Sequence, residues 1–217
     1  MRWMLPLLAL LLQLAGATAS GADEWSLARR DDARDIRVYV RPMPGSTYKR
    51  FYAITRVQAR LSTVVSALSD VSAMPEWIAR MRSAQVVRRE ANREIWVHTI
   101  YRLPYPFLER EAVLHSTLHQ DSTGVVEVST RAEPGMVPPH PHRVRLLNLR
   151  SLWRLTPESN GMVKIELWGE GDPGGYVPHL LFNYNLPDEP AQTLRNFRHL
   201  LPREKYRTRT LDFLHDA

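Results

Sequence analysis

The chemistry-bearing residues of this chain are few, and their spacing narrows what they could do. Arg110 and Glu111 stand side by side in FLEREAV, with His98 and Tyr101 a short way upstream. A histidine, a phenol and a carboxylate could share acid–base work if they converged. Adjacent strand residues point to opposite faces, so Arg110 and Glu111 do not bridge each other; one projects into an interior and the other anchors the outside. His115 and His119, and His140 and His142 around Pro141, suggest a metal. On an extended strand a four-residue separation is about 13 Å, too far for one ion, and no third ligand converges. The absence of cysteine removes thiol nucleophiles, thiolate metal sites and disulfides together. No nucleophile elbow, phosphate loop or two-histidine helix motif occurs, and DPGG at 172–175 lacks phosphate-loop context. Neither a metal nor a cofactor is expected. The aromatic residues Trp77, Tyr101, Trp153, Trp168 and Tyr184 can instead fill core, line an apolar site or receive a cationic head group.

These side chains need elements to hold them. IRVYVRP (36–42) reads as a first strand closed by the turn residues of PMPGS, and TYKRFYAITRV alternates again to complete a hairpin. Val57, Leu61, Val64, Val65 and Leu68 then recur at helical spacing, and a short helical piece at 74–81 carries Pro75 in its first turn. Six strands follow in RSAQVVRRE, REIWVHTIYRL, EREAVLHSTLH, GVVEVSTRA, HRVRLLNLRSLWRLTP and GMVKIELWGE, with hairpin-length links that describe an antiparallel meander. The prolines of EPGMVPPHPH (133–142) rule out a central strand and mark a projecting loop. A last helix opens at Asp188, Glu189 and Pro190, buries Leu194, Phe197 and Leu201, and ends at Pro202.

This order predicts an α+β fold in which a curved antiparallel sheet wraps a long C-terminal helix. Sheet and helix turn apolar faces to one interior, which favours a cavity. Asp172-Pro173-Gly174-Gly175 gives the last strand a sharp exit. Tyr176 to Tyr184 is expected to cross the mouth as a gate loop, with Val177, Leu180, Leu181 and Phe182 inward and Asn183 and Asn185 satisfying backbone groups.

The N-terminus has a three-part layout: Arg2, an apolar run over residues 5–14, then Ala15, Gly16, Ala17 and Ala19. That is the pattern of a secretory signal peptide over 1–19, cleaved after Ala19 or after Ala22, and the run is short for a bilayer crossing. The product is expected to be exported, periplasmic in a Gram-negative source and secreted otherwise. The domain spans 23–202, with 203–217 as a tail. Of the formal charge of +6, removal of Arg2 leaves +5. With export and scattered arginines, nucleic acid is not an expected partner, and an anionic membrane surface fits the basic excess better.

IYRLPYPFLEREAV (100–113) resembles the P-x-P-F-x-x-R-D element of START domains, the steroidogenic acute regulatory protein-related lipid transfer family. DPGGYVPHLLFNYNLPDEPAQTLRNFR (172–198) resembles that family's strand exit, lid and C-terminal helix. PHRVRLLNLRSLWRLTP resembles its V-R strand with a W-x-L-x-P close; IRVYVRP and DVSAMPEWIARM match its first strand and the region between its early helices. The resemblance covers residues 35–202, with Glu111 where the family usually has aspartate. It implies a helix-grip fold with a lipid-sized tunnel and a non-enzymatic role in binding or carrying a hydrophobic ligand between membranes. The charged cavity pair of the sterol-carrying branch is not reproduced, since His98 and Ser116 fall near its positions. The expected ligand site comprises Trp77, His98, Tyr101, Arg110, Glu111, Trp153, Trp168, Tyr176, Leu180, Leu181, Asn183, Tyr184, Leu194 and Phe197. Partners are a hydrophobic small molecule and, transiently, a membrane surface; a monomer is favoured. A small-molecule enzyme of the same fold, of cyclase or hydrolase type, and a ligand-dependent sensor are the alternatives.

Overall fold

A computed structural model describes residues 24–90 and 93–215. The expected signal segment lies outside the described residues. The strands are β1 (Ser26–Asp31), β2 (Ile36–Pro42), β3 (Lys49–Gln58), β4 (Met81–Glu90), β5 (Glu94–Tyr101), β6 (Arg110–Gln120), β7 (Val126–Ala132), β8 (Val144–Arg145), β9 (Leu149–Glu158) and β10 (Met162–Gly171). The helices are α1 (Leu61–Leu68), α2 (Met74–Trp77), α3 (His179–Asn185), α4 (Asp188–Leu200) and α5 (Glu204–Arg207). The strands form one curved sheet in the order β1-β2-β3-β10-β9-β7-β6-β5-β4, antiparallel throughout this path, with β8 pairing parallel to β6. The N-terminal hairpin thus closes against the last strand, and α4 lies in the grip of the sheet.

Period-two alternation decides which side of each strand faces α4. Ile36, Val38 and Val40 of β2 and Ala53, Thr55 and Val57 of β3 are buried, as are Ile165 and Leu167 of β10. From the helix side, Leu194 and Phe197 are fully buried. Each such side chain contributes about 1.5–3 kcal/mol relative to an exposed one. Trp77, Trp153 and Phe197 meet in the middle, with ring centroids 5.7, 4.9 and 5.6 Å apart. The α1 helix is buried on every side, as expected of a helix wedged between a sheet and the C-terminal segment.

Several sequence expectations need correction. The charged lead contains β1, an edge strand whose residues pair with β2 from Ser26↔Val40 to Asp31↔Ile36. Its arginine-rich, exposed face hid it from a hydrophobic pattern. Val57 belongs to β3, and the helical stripe begins at Leu61. The single strand expected over 142–157 breaks into β8 and β9. The C-terminal tail is packed: Tyr206 and Leu214 join the core, and the Asp70 carboxylate accepts from Tyr206 and Lys205.

Candidate functional site

Between the inner face of the sheet and the roof formed by α2, α3 and α4 lies a cavity of about 370 Å³. Its origin is a register effect. Along one line across the sheet, Ile95 pairs with Ser116, Ser116 with Thr130, Thr130 with Ser151, Ser151 with Gly169, and Gly169 with Phe51. Four small residues abreast leave a hollow that larger side chains would fill. The next line toward the core is Leu118, Val128, Trp153 and Leu167, which closes the hollow at that end. Phe51 lies flat over Gly169, where a β-carbon would sit 2.4 Å from ring carbons. The roof supplies Met74, Trp77 and Ile78, then Leu186, Glu189, Pro190 and Thr193 at helical spacing.

Polar groups on this wall are mostly committed. Ser116 and Thr130 bond each other at 2.8 Å, and Thr193 Oγ1 accepts the Ala79 N–H at 3.0 Å. Arg110 is 3% exposed and donates to the carbonyls of Pro173 and Gly174 at 2.9 Å and of Leu108 at 2.5 Å. Burial lowers its pKa, yet the guanidinium serves as a clamp between the start of β6 and the turn that follows β10. Gly174 and Gly175 have φ of 64° and 59°, the left-handed angles that this turn requires. Tyr101 faces the cavity, and burial raises its phenol above the ordinary range. Glu189 also faces the cavity, paired with Arg80 at 2.6 Å. Its side chain is 45% accessible, yet burial pushes the carboxyl up in spite of Arg80.

The segment expected as a gate loop is a short helix, α3. A helix turns 100° per residue, so only some of its side chains look inward. Phe182 and the following Leu186 line the cavity, whereas Tyr176, Leu180 and Tyr184 are 87%, 75% and 82% exposed and Leu181 is 44% exposed. These four therefore form the outer surface of the lid rather than a ligand wall. Asn183 ties the lid to the β2–β3 turn: its Oδ1 accepts the Lys49 N–H at 2.8 Å and its Nδ2 donates to Thr47 O at 2.9 Å. Tyr48 adds an edge contact to Phe182 and donates to Val177 O.

Of the expected site, Trp77, Tyr101, Arg110 and Trp153 lie on the cavity wall. Leu194 and Phe197 sit beyond it in the core, about one turn further along the same helical face that carries Pro190 and Thr193. Trp168 is on the opposite side of β10, stacked on Tyr52 at 4.8 Å beneath Arg154. His98 and Glu111 are also on the outer face, because β5 turns Ile95, Val97, Thr99 and Tyr101 inward. There Glu111, 1% exposed, accepts the His140 N–H at 2.7 Å and Arg145 at 3.0 Å, and meets His98 Nε2 at 3.1 Å. Burial would raise this carboxyl, but those donors outweigh it and hold it below its usual value. Glu111 thus fastens the proline loop to the back of the sheet. The residues missed from sequence are the small row, Leu186, Arg80 and Glu189, whereas Phe182, expected inward, lines the cavity. Helical spacing from Leu186 points to Glu189, but the row exists only once β6, β7, β9 and β10 are in register.

The comparisons agree with this geometry. The START domain family pattern matches residues 8–203. A STAR-related lipid transfer protein from Xanthomonas axonopodis is similar at TM-score 0.77 and 28% identity, over 83% of this chain and 100% of that one. An uncharacterized protein of Pseudomonas aeruginosa is 27% identical over 199 residues, covering 91% of this chain and 97% of its own. Human StAR-related lipid transfer protein 5 shares the fold at TM-score 0.73 and 15% identity, over 85% of this chain and 88% of that one.

Proposed function

The chain belongs to the START domain family, and from that premise we propose that it binds a lipid-like ligand in the 370 Å³ cavity and carries it between membranes after export. The observation that carries this reading is the cavity itself, apolar over most of its wall and roofed by a lid that a handful of hydrogen bonds hold shut. Its volume is near the low end for small-molecule sites. A single-chain or fused-ring lipid suits it, whereas a two-chain phospholipid exceeds it. At about 0.8 kcal/mol per buried methylene, one acyl chain supplies ample binding energy.

The lid's outer surface supports membrane contact. Arg110 bonds both Leu108 and the turn before the lid, and Asp172 N–H donates to Asn148 O, so three loops meet at one end. That end exposes Tyr105, Leu108, Leu147, Tyr176, Leu180 and Tyr184. An apolar, aromatic patch at the cavity mouth suits insertion at the edge of a bilayer, with the net positive charge aiding approach to anionic lipid. The role is binding without catalysis: Tyr101 faces the cavity while His98 and Glu111 face the other side, so the acid–base scheme has no shared site.

Native mass spectrometry of the gently purified mature protein tests this. One discrete lipid per chain is expected. A protein that arrives empty and takes up nothing from vesicles overturns it.

A further inference from the structure

The segment over residues 78–81 separates the cavity from a second, polar depression on the surface. Ile78, Ala79, Arg80, Met81 and Glu189 line both, so the partition there is a single stretch of chain and one ion pair. Arg80 has φ of 60°, a left-handed conformation that a non-glycine residue adopts at a cost. The strain is held by backbone bonds on both sides: Ala79 N–H to Thr193 Oγ1 at 3.0 Å, and Arg102 N–H to Arg80 O at 2.8 Å. Its effect is to aim the guanidinium across the partition at Glu189, 2.6 Å away.

The outer depression has an arginine excess. It is lined by Arg29, Arg30, Arg80, Arg102 and Arg195 against Asp31, Asp188 and Glu189. The three carboxylates are taken by Arg195, Arg29 and Arg80. Arg102, next to Arg80 in space, is exposed and has no carboxylate within ion-pair distance among the described residues. Arg30 pairs with Asp32 just outside the depression, so Arg102 is the one positive charge left over beside the partition, on a side chain free to turn. On the cavity side the partition is flanked by Met74, Trp77, Ile78 and Met81 with the polar Tyr101, Glu189 and Thr193, and the rest of the lining carries further polar groups, among them Ser116, Thr130, Ser151 and an Arg110 already committed to three carbonyls.

We infer that the ligand is a single-chain lipid with one terminal oxyanion, its tail in the cavity and its head passing between Arg80 and Glu189 to be held by Arg80 and Arg102. This rests on the lipid-binding reading above and adds the head-group chemistry and its place. The head replaces Glu189 on Arg80, so no cation is stranded. Burial already holds the Glu189 carboxyl above its usual range, which lowers the cost of giving up its partner. Carboxylate and phosphate monoester share the required chemistry, and guanidinium forks suit both.

The test uses three ligands of one chain length, a fatty acid, an alkyl phosphate monoester and the corresponding alcohol, titrated into the mature chain and into Arg80→Gln, Arg102→Gln and Glu189→Gln. The anions are expected to bind at least tenfold more tightly than the alcohol, with the tighter of the two identifying the head group. Arg80→Gln and Arg102→Gln should shrink that preference below threefold with alcohol affinity unchanged, while Glu189→Gln preserves it. Arg102 is exposed, so its variant folds even if the strained position 80 tolerates no change. Equal binding of alcohol and anions, or equal loss of all three in the arginine variants, overturns the head-group site but leaves lipid binding standing. No binding of any of the three overturns both.

Discussion

Replacing Glu111 with glutamine separates the scaffold role of this residue from a ligand role. The carboxylate is 1% exposed and accepts from the His140 N–H at 2.7 Å and from Arg145 at 3.2 and 3.0 Å, with His98 at 3.1 Å. Glutamine keeps the shape but removes the charge that faces Arg145 and, at 4.0 Å, Arg143. Breaking a buried pair costs about 3–5 kcal/mol. Arg145 retains the carbonyls of Pro134, Val137 and Pro138, which argues for the lower end, about 3 kcal/mol. For a chain of this size that is a fall in Tm of roughly 6–12 °C. Glu111→Asp keeps the charge and loses one methylene of reach, so about 1–2 kcal/mol is expected. The folded carboxyl titrates below its unfolded value, so its contribution is full above the ordinary glutamate range and fades as pH falls through the depressed value. Urea melts from pH 7 to pH 3 should show the gap between wild type and Glu111→Gln narrowing with acid. Limited proteolysis should cut the mutant first within residues 133–142. A loss under 1 kcal/mol at pH 7, or a gap that widens in acid, refutes the reasoning.

Three further outcomes follow from the geometry. Ser151→Trp places a large ring in the hollow left by the small row, so lipid uptake should fall at least tenfold while Tm is unchanged or higher. Leu180→Asp with Tyr184→Ser alters only the lid's outer surface, so sedimentation with anionic vesicles should weaken several-fold with no change in stability. Asp70→Asn removes the charge and one of the two oxygens that accept from Ser72, Lys205 and Tyr206; although burial acts the other way, these donors hold the carboxyl well below its usual range. The loss should be about 1–3 kcal/mol at pH 7, vanish in strong acid, and appear in hydrogen exchange as faster opening of residues 204–215.

Local pattern carried much of the fold. The alternation in IRVYVRP and GMVKIELWGE, the stripe Leu194-Phe197-Leu201 and the DPGG exit were each legible because the signal lies within a few residues. What was illegible depends on partners distant in sequence. Trp168 and Trp153 look alike as strand aromatics, and only the β9–β10 register sends one outward to Tyr52 and the other inward to Phe197. His98 and Glu111 were grouped with Tyr101 by proximity in the chain, though strand parity puts them on the opposite face. Leu180, Leu181 and Phe182 are all expected inward if the lid is extended; the helix α3 turns Leu180 and Leu181 out and keeps Phe182 in, and Tyr176, expected at the ligand, is exposed ahead of the helix. The hollow itself arises from Ser116, Thr130, Ser151 and Gly169, unremarkable singly and adjacent only across paired strands.

Photo-crosslinking tests the central claim most directly, because the inner and outer faces of one strand differ by a single residue. A single-chain lipid with a diazirine in mid-chain would be incubated with the purified protein, irradiated, and the labelled peptides sequenced. Label is expected on cavity residues such as Trp77, Tyr101, Trp153 and Phe182 and not on Trp168, His98 or Tyr52 of the outer face. Label confined to the outer face, or spread evenly over both, would contradict an internal ligand site.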